Sequence, residues 1–135
     1  MELQIIIDGE NATLGRLASY SAKQAVLGKK IIIVNAEKVV IIGGKRGILE
    51  KYNRLVRLGG SGLKGPKIIR TPERILKKTI RGMLAHKQGR GREALKRIRC
   101  YNTIPKEFEN EKRIKAGREK HGKLLTLKEL VKLIK

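Results

Sequence analysis

The chain has 135 residues, with 33 Lys and Arg against 12 Asp and Glu and a formal net charge of +21. That length fits one domain of about 100–150 residues and excludes a multidomain enzyme, and a hydrophobic content of 40% supplies one modest core. So large a cationic surplus repels itself when compact, so a polyanion is the expected partner, either nucleic acid or an anionic membrane face.

Ile5-Ile6-Ile7 is a β-branched run suited to a buried strand, and it ends at the turn-like Asp8-Gly9-Glu10-Asn11. Leu14, Leu17, Ala18, Ala22, Ala25 and Val26 then recur at helical spacing. Asn11 or Thr13 can cap the start, and Gly28 stands where a left-handed stop belongs. Ile31-Ile32-Ile33-Val34 reads as a strand covered on both faces, the kind found in parallel sheets. Val39 to Ile42 makes another short strand, closed by Gly43-Gly44. Strand, helix and strand within about 30 residues form a crossover unit, which predicts an α/β layer structure. Asn35, Glu37 and Lys38 interrupt the apolar stretch well short of the roughly 20 residues a membrane span needs. Glu2 and Asp8 stand where a secretory leader carries cations, so no targeting segment and a cytoplasmic location are expected.

Thr71-Pro72-Glu73 opens a second helix, with proline at the first helical position and an acid near the positive dipole end. Ile75, Leu76, Thr79, Ile80, Met83 and Leu84 form its apolar face, and Arg74, Lys77, Lys78 and Arg81 lie largely on the other side. A helix turning into a short strand near Ile98 to Tyr101 is expected next. The polar stretch from Pro105 to Gly122 predicts an extended or partly ordered connector. Thr126-Leu127-Lys128-Glu129 is a capping box, and Leu127, Leu130, Val131 and Ile134 share one face of a last helix. The expected organisation is a core with basic loops over residues 1–105, then a charged connector and C-terminal amphipathic helix over 106–135, all within a single domain.

Charge is unevenly placed along the chain. Residues 1–44 hold five basic and four acidic side chains, net +1, whereas 45–105 hold eighteen and three, net +15, and 106–135 hold ten and five, net +5. The first third therefore has an ordinary globular composition, and the middle of the chain is the part expected to meet the polyanion.

Gly60-Ser61-Gly62-Leu63-Lys64-Gly65 spells the GxGxxG pattern of dinucleotide-binding turns, but its context is wrong for that use. Pro66 follows the last glycine, and the next acids, Glu73 and Glu93, are not at the roughly 20-residue spacing of a ribose-binding carboxylate. A glycine loop that lets backbone amides, Lys64 and Lys67 approach phosphates closely fits better than a cofactor site or a plain surface turn. His86-Lys87-Gln88-Gly89-Arg90-Gly91-Arg92 reads as a second glycine-basic loop suited to RNA backbone contact, since the Arg fork pairs with phosphate. Its alternative is a solvated loop between helices.

Other chemistry is sparse. His86 and His121 lack the carboxylate or cysteine pattern of a metal site, and the single Cys100 excludes a disulfide framework and is expected as core filler rather than a nucleophile. The sequon Asn11-Ala12-Thr13 sits at a helix start and is discounted. Four aromatics, Tyr20, Tyr52, Tyr101 and Phe108, are too few and scattered for a stacking platform. Recognition through phosphate, sugar and shape is expected, which favours folded RNA.

Ile7-Asp8-Gly9-Glu10-Asn11-Ala12-Thr13-Leu14-Gly15-Arg16-Leu17-Ala18-Ser19 resembles the opening signature of the universal large-subunit ribosomal protein thirteen family. In order along the chain, Val34-Asn35-Ala36-Glu37 and Gly43-Gly44-Lys45 resemble its second strand region, Gly60-Ser61-Gly62-Leu63-Lys64 its glycine loop, and Arg81-Gly82-Met83-Leu84 its most distinctive tetrapeptide. Gly91 to Arg97, followed by Arg99-Cys100-Tyr101, resembles the archaeal and eukaryotic branch. The resemblance covers about Ile5 to Pro105. It implies a three-layer α/β/α core with a small, mostly parallel sheet, a structural place in the large ribosomal subunit, binding to its large ribosomal RNA beside neighbouring ribosomal proteins, and a part in early subunit assembly.

On that basis the expected RNA-binding residues are Arg16, Lys45, Arg46, Arg54, Arg57, Lys64, Lys67, Arg81, Lys87, Arg90, Arg92 and Lys96. No catalytic residue, metal, cofactor, membrane or small-molecule substrate is expected. Two rivals come from other classes: a chromatin-type DNA-binding protein, marked by preference for duplex DNA, and a nucleotide enzyme, marked by nucleotide binding that Gly62→Ala abolishes.

Overall fold

The structure, a computed structural model, describes residues 3–57, 71–117 and 124–134. β1 (Gln4–Asp8) lies parallel to β2 (Lys30–Val34), and α1 (Leu14–Val26) connects them. Thr13 holds the extended position ahead of α1. Gly28, at φ +97, ends the helix with the left-handed residue predicted there. A 3-10 turn, Ala36–Lys38, leads into β3 (Val40–Ile42).

Three helices follow, α2 (Lys45–Arg57), α3 (Pro72–Gly82) and α4 (Gly89–Lys96), then β4 (Ile98–Cys100). α2 was not expected. Its signal is present as Ile48, Leu49, Tyr52, Leu55 and Val56 at helical spacing, overshadowed by the cations between them. α3 starts at Pro72, as its sequence predicts. Its end is capped from a distance, by Asn102 Oδ1 accepting from the Glu73 N–H at 3.1 Å, and not by Thr71.

Up to residue 117 the polar segment beyond Pro105 is more ordered than its composition suggests, and the rest of the expected connector lies outside the described residues. A 3-10 turn at Lys106–Phe108 is followed by β5 (Ile114–Lys115), which pairs parallel with β1. β6 (Leu124–Thr126) pairs antiparallel with β3 in a second, two-stranded sheet and leads into α5 (Leu127–Leu133). The N-cap half of the predicted capping box forms, with the Thr126 hydroxyl accepting from the Glu129 N–H at 3.2 Å.

The main sheet has the order β4-β2-β1-β5 and is parallel throughout, an α/β architecture as predicted. On one face Ile7, Ile31 and Ile33 pack with Leu17, Ala18, Ile75, Leu76 and Ile80 of the helices. Ile6, Ile32 and Val34 point to the opposite face and pack against Tyr101, Ile104 and Phe108, so a segment built around a 3-10 turn forms the third layer. The period of two along each strand sets this division, and a fully buried Ile contributes about 2 kcal/mol. Two residues expected on apolar helix faces are exposed instead: Val26 at the end of α1 is 46% exposed, and Met83, just past α3, is 47% exposed.

Candidate nucleic-acid interface

Ten of the twelve cations singled out in the sequence lie among the described residues, and all ten are exposed. Arg16 is on α1, Lys45, Arg46, Arg54 and Arg57 on α2, Arg81 on α3, Lys87 in the turn after it, and Arg90, Arg92 and Lys96 on α4. Lys64 and Lys67 lie outside the described residues, as do the GxGxxG stretch and His121. α1 packs against both α3 and α4, and α2 joins the same apolar cluster through Tyr52, so the helices that carry these cations belong to one side of the sheet.

One expectation about this surface needs correction. Residues 86–92 are not a single loop: a turn runs to Gln88, and α4 begins at Gly89, which places Arg90 and Arg92 on its first turns. Gly91 is required there for space, because a Cβ would collide with the Ala85 carbonyl oxygen and the His86 amide. A glycine that looks like loop flexibility in the sequence is a helix packed backbone to backbone against the preceding turn.

Acids from the same helices moderate two of the cations. Arg46 Nε is 3.2 Å from Glu50 Oε1, and Lys96 Nζ is 3.5 Å from Glu93 Oε1. Both pairs are largely exposed, so each is worth only a few tenths of a kcal/mol and yields readily to a phosphate. Arg97 has a different use: its guanidinium donates to the Ala25 carbonyl at 2.8 Å, tying α1 to the residue after α4. Lys51, Arg74 and Lys78 are also exposed on these helices and add to the cationic side, whereas Arg99 of β4 is level with Ile32 and points to the opposite face of the sheet.

The carboxyl ends of the strands hold the other polar cluster. Asp8 is buried at the end of β1, where its Oδ1 accepts from Asn35 Nδ2 at 2.9 Å and from the Glu10 N–H at 3.0 Å. Burial by itself raises its carboxyl, but these bonds and the charges of Lys115 and Arg113 outweigh it and hold the group below its ordinary value. The strand order reverses beside β1, the place where open parallel sheets commonly bind nucleotides. Here the chain itself fills that place. The Thr13 N–H donates to the Gly117 carbonyl at 2.8 Å, and Gly117, at φ +71, lies so close to α1 that a Cβ would stand 2.6 Å from Leu17 N.

Cys100 is no better placed for chemistry. Burial pushes its thiol up to about 12, with Lys77 pulling down and Glu73 adding to the rise. Among the described residues no three His, Cys, Asp or Glu side chains converge as metal ligands, and no helix is long and apolar enough to cross a membrane.

A family model described as ribosomal protein L13 matches residues 2–107. Large ribosomal subunit protein uL13 of Picrophilus torridus is 45% identical over 133 residues, covering 96% of each chain. The protein of the same name from Thermoplasma volcanium is 42% identical over 130 residues, 94% of this chain and 95% of that one. The one from Methanocaldococcus jannaschii is also 42% identical over 130 residues, 94% of each.

Proposed function

The chain belongs to the ribosomal protein L13 family, and from that premise we propose that it is built into the large ribosomal subunit, binds the large-subunit ribosomal RNA through its cationic helical side, and takes part in early assembly of the subunit. Its role is structural and not enzymatic, and it works in the cytoplasm, in the ribosome. The observation that supports the RNA reading best is the exposure of cations from four successive helices on one side of a nearly neutral sheet.

Arg16, Lys45, Arg46, Arg54, Arg57, Arg81, Lys87, Arg90, Arg92 and Lys96 are the proposed phosphate contacts, with Lys64 and Lys67 added on their sequence alone. Helices fix the spacing of these charges, so they suit an RNA surface folded to match and hold distant RNA segments together. Base stacking contributes little across this side: Tyr52 is buried, and Tyr101 and Phe108, with ring centroids 6.0 Å apart, pack on the far face of the sheet. Neighbouring ribosomal proteins are the second class of partner.

Binding of the full chain to transcribed large-subunit ribosomal RNA across a salt series tests this reading. If about eight phosphates are neutralised, log affinity falls with log salt at a slope of roughly −6 to −7. Arg81→Ala lowers affinity and makes that slope shallower by about one. A slope near zero, or preference for duplex DNA at matched salt, would overturn the reading, as would absence of the chain from large subunits in a sucrose gradient run at physiological salt.

A further inference from the structure

α2 packs lightly on the rest of the molecule and leaves a cleft of about 620 Å³ between itself and α1, β3 and α3. That volume is within the range of small-ligand pockets. Its wall is apolar where Ile42 and Leu55 line it, Lys51 and Lys78 contribute the charge, and no acid is among the described residues around it. Two helical glycines, Gly15 of α1 and Gly82 of α3, also line the cleft, and a Cβ at either would meet nothing within 4 Å. Glycine inside a helix is about 1 kcal/mol less favourable than alanine. Here it keeps the opening wide from two sides at once.

We propose that this cleft seats one unstacked nucleotide of the bound RNA, its base against the aliphatic wall and its phosphate between Lys51 and Lys78. An apolar slot with cations and no acids complements a flat, weakly polar base attached to an anion. It complements an acidic protein segment less well, because such a segment offers no planar group to fill the slot. The proposal rests on the RNA-binding function above and adds to it a site that reads an extruded base, where the helical surface reads phosphates and shape.

Photo-crosslinking of the native full-length protein to transcribed large-subunit ribosomal RNA, with peptide mapping by mass spectrometry, is the first test. A mononucleotide adduct on Lys51 or Tyr52 is expected. Adducts confined to α4 and the Arg81 region, or crosslinks from the cleft only to another protein, would overturn the nucleotide site while leaving RNA binding intact. The second test fills the opening. Gly15→Phe and Gly82→Phe are each expected to weaken RNA binding roughly tenfold and to make the salt slope shallower by about one, as the phosphate between Lys51 and Lys78 is displaced, whereas Gly15→Ser stays within about twofold with the slope unchanged. A folded Gly15→Phe protein with full affinity would overturn the proposal, and if the Phe variants do not fold, the crosslinks on the native protein decide. Absence of any RNA binding by the native chain is a different result, which removes the underlying function together with the site.

Discussion

Residues 1–44 carry a net charge of +1 and supply β1, α1, β2 and β3, whose Ile, Val and Ala side chains are mostly buried, whereas residues 45–105 carry +15 and supply α2, α3 and α4. Each of those helices buries a narrow edge, such as Tyr52 on α2, Ile75, Leu76 and Ile80 on α3, and Ala94 on α4, and turns cations to solvent. The difference shows how a small chain carries a large surplus charge: the sheet region is built without self-repulsion, and the charge is placed on helices already anchored to it. Binding to a polyanion then adds stability to the region that needs it most.

The division breaks most sharply at Gly91, which lies in the cationic segment yet serves packing. Because a Cβ there meets the Ala85 backbone, Gly91→Ala is expected to cost about 4 kcal/mol and to lower Tm by more than roughly 10 °C. Thermal unfolding followed by circular dichroism checks this; a shift of only a degree or two would mean that the turn before α4 yields. Ile33→Ala sharpens the same division from the neutral side. Ile33 is fully buried in β2, so its truncation is expected to cost about 3 kcal/mol in denaturant unfolding. At temperatures where the variant remains folded, the salt slope of RNA binding should be unchanged, because no cation has moved.

Most of the neutral region was legible in the sequence because one force decides it. Ile5 to Ile7, the helical spacing from Leu14 to Ala25, Gly28 and Ile31 to Val34 all point to burial against a sheet, and the structure places them there. The cap at Thr126 was equally plain, because the hydroxyl and the Glu129 N–H that form it are only three residues apart. Failures came where long-range contacts decide. Nothing near Thr71 announces that Asn102 caps α3, and nothing near Gly91 announces the Ala85 backbone against it. β5 is only two residues long and acquires its strand conformation from β1. At the cationic surface the residue types were legible, but their arrangement was not: α2 was unforeseen, so the cleft beside it and Lys51 within it were unforeseen too.

A smaller effect is expected at Asp8, where the neutral region holds its own buried charge. Its carboxyl is held below the ordinary value in the folded chain, so the stability it contributes is complete above the unfolded value near about 4 and is lost as pH falls through the folded one. Asn at this position keeps an oxygen for Asn35 and Glu10 but loses the charge. Asp8→Asn should therefore destabilise by about 1 kcal/mol at pH 7, with a difference from the native chain that is flat between about pH 5 and 8 and narrows below about pH 4. A difference that stayed flat on acidification through about pH 3 would assign the role of Asp8 to geometry rather than charge.

The smallest change tests whether the two regions differ in kind. Glu50 sits among the cations of α2, 3.2 Å from Arg46, and the side chains are 69% and 94% exposed. Breaking so exposed a pair is expected to cost no more than about 0.5 kcal/mol of stability. Glu50→Gln removes an anion from the proposed RNA side and releases Arg46, so affinity for the ribosomal RNA should rise roughly two- to threefold at low salt. The gain should vanish near 1 M salt, where the screening length falls to about 3 Å. The matched change Glu37→Gln removes the same charge from the 3-10 turn of the neutral region and is expected to leave affinity unchanged. If the two variants gain equally, the RNA is responding to net charge alone; if only Glu50→Gln gains, it is responding to where α2 presents its cations.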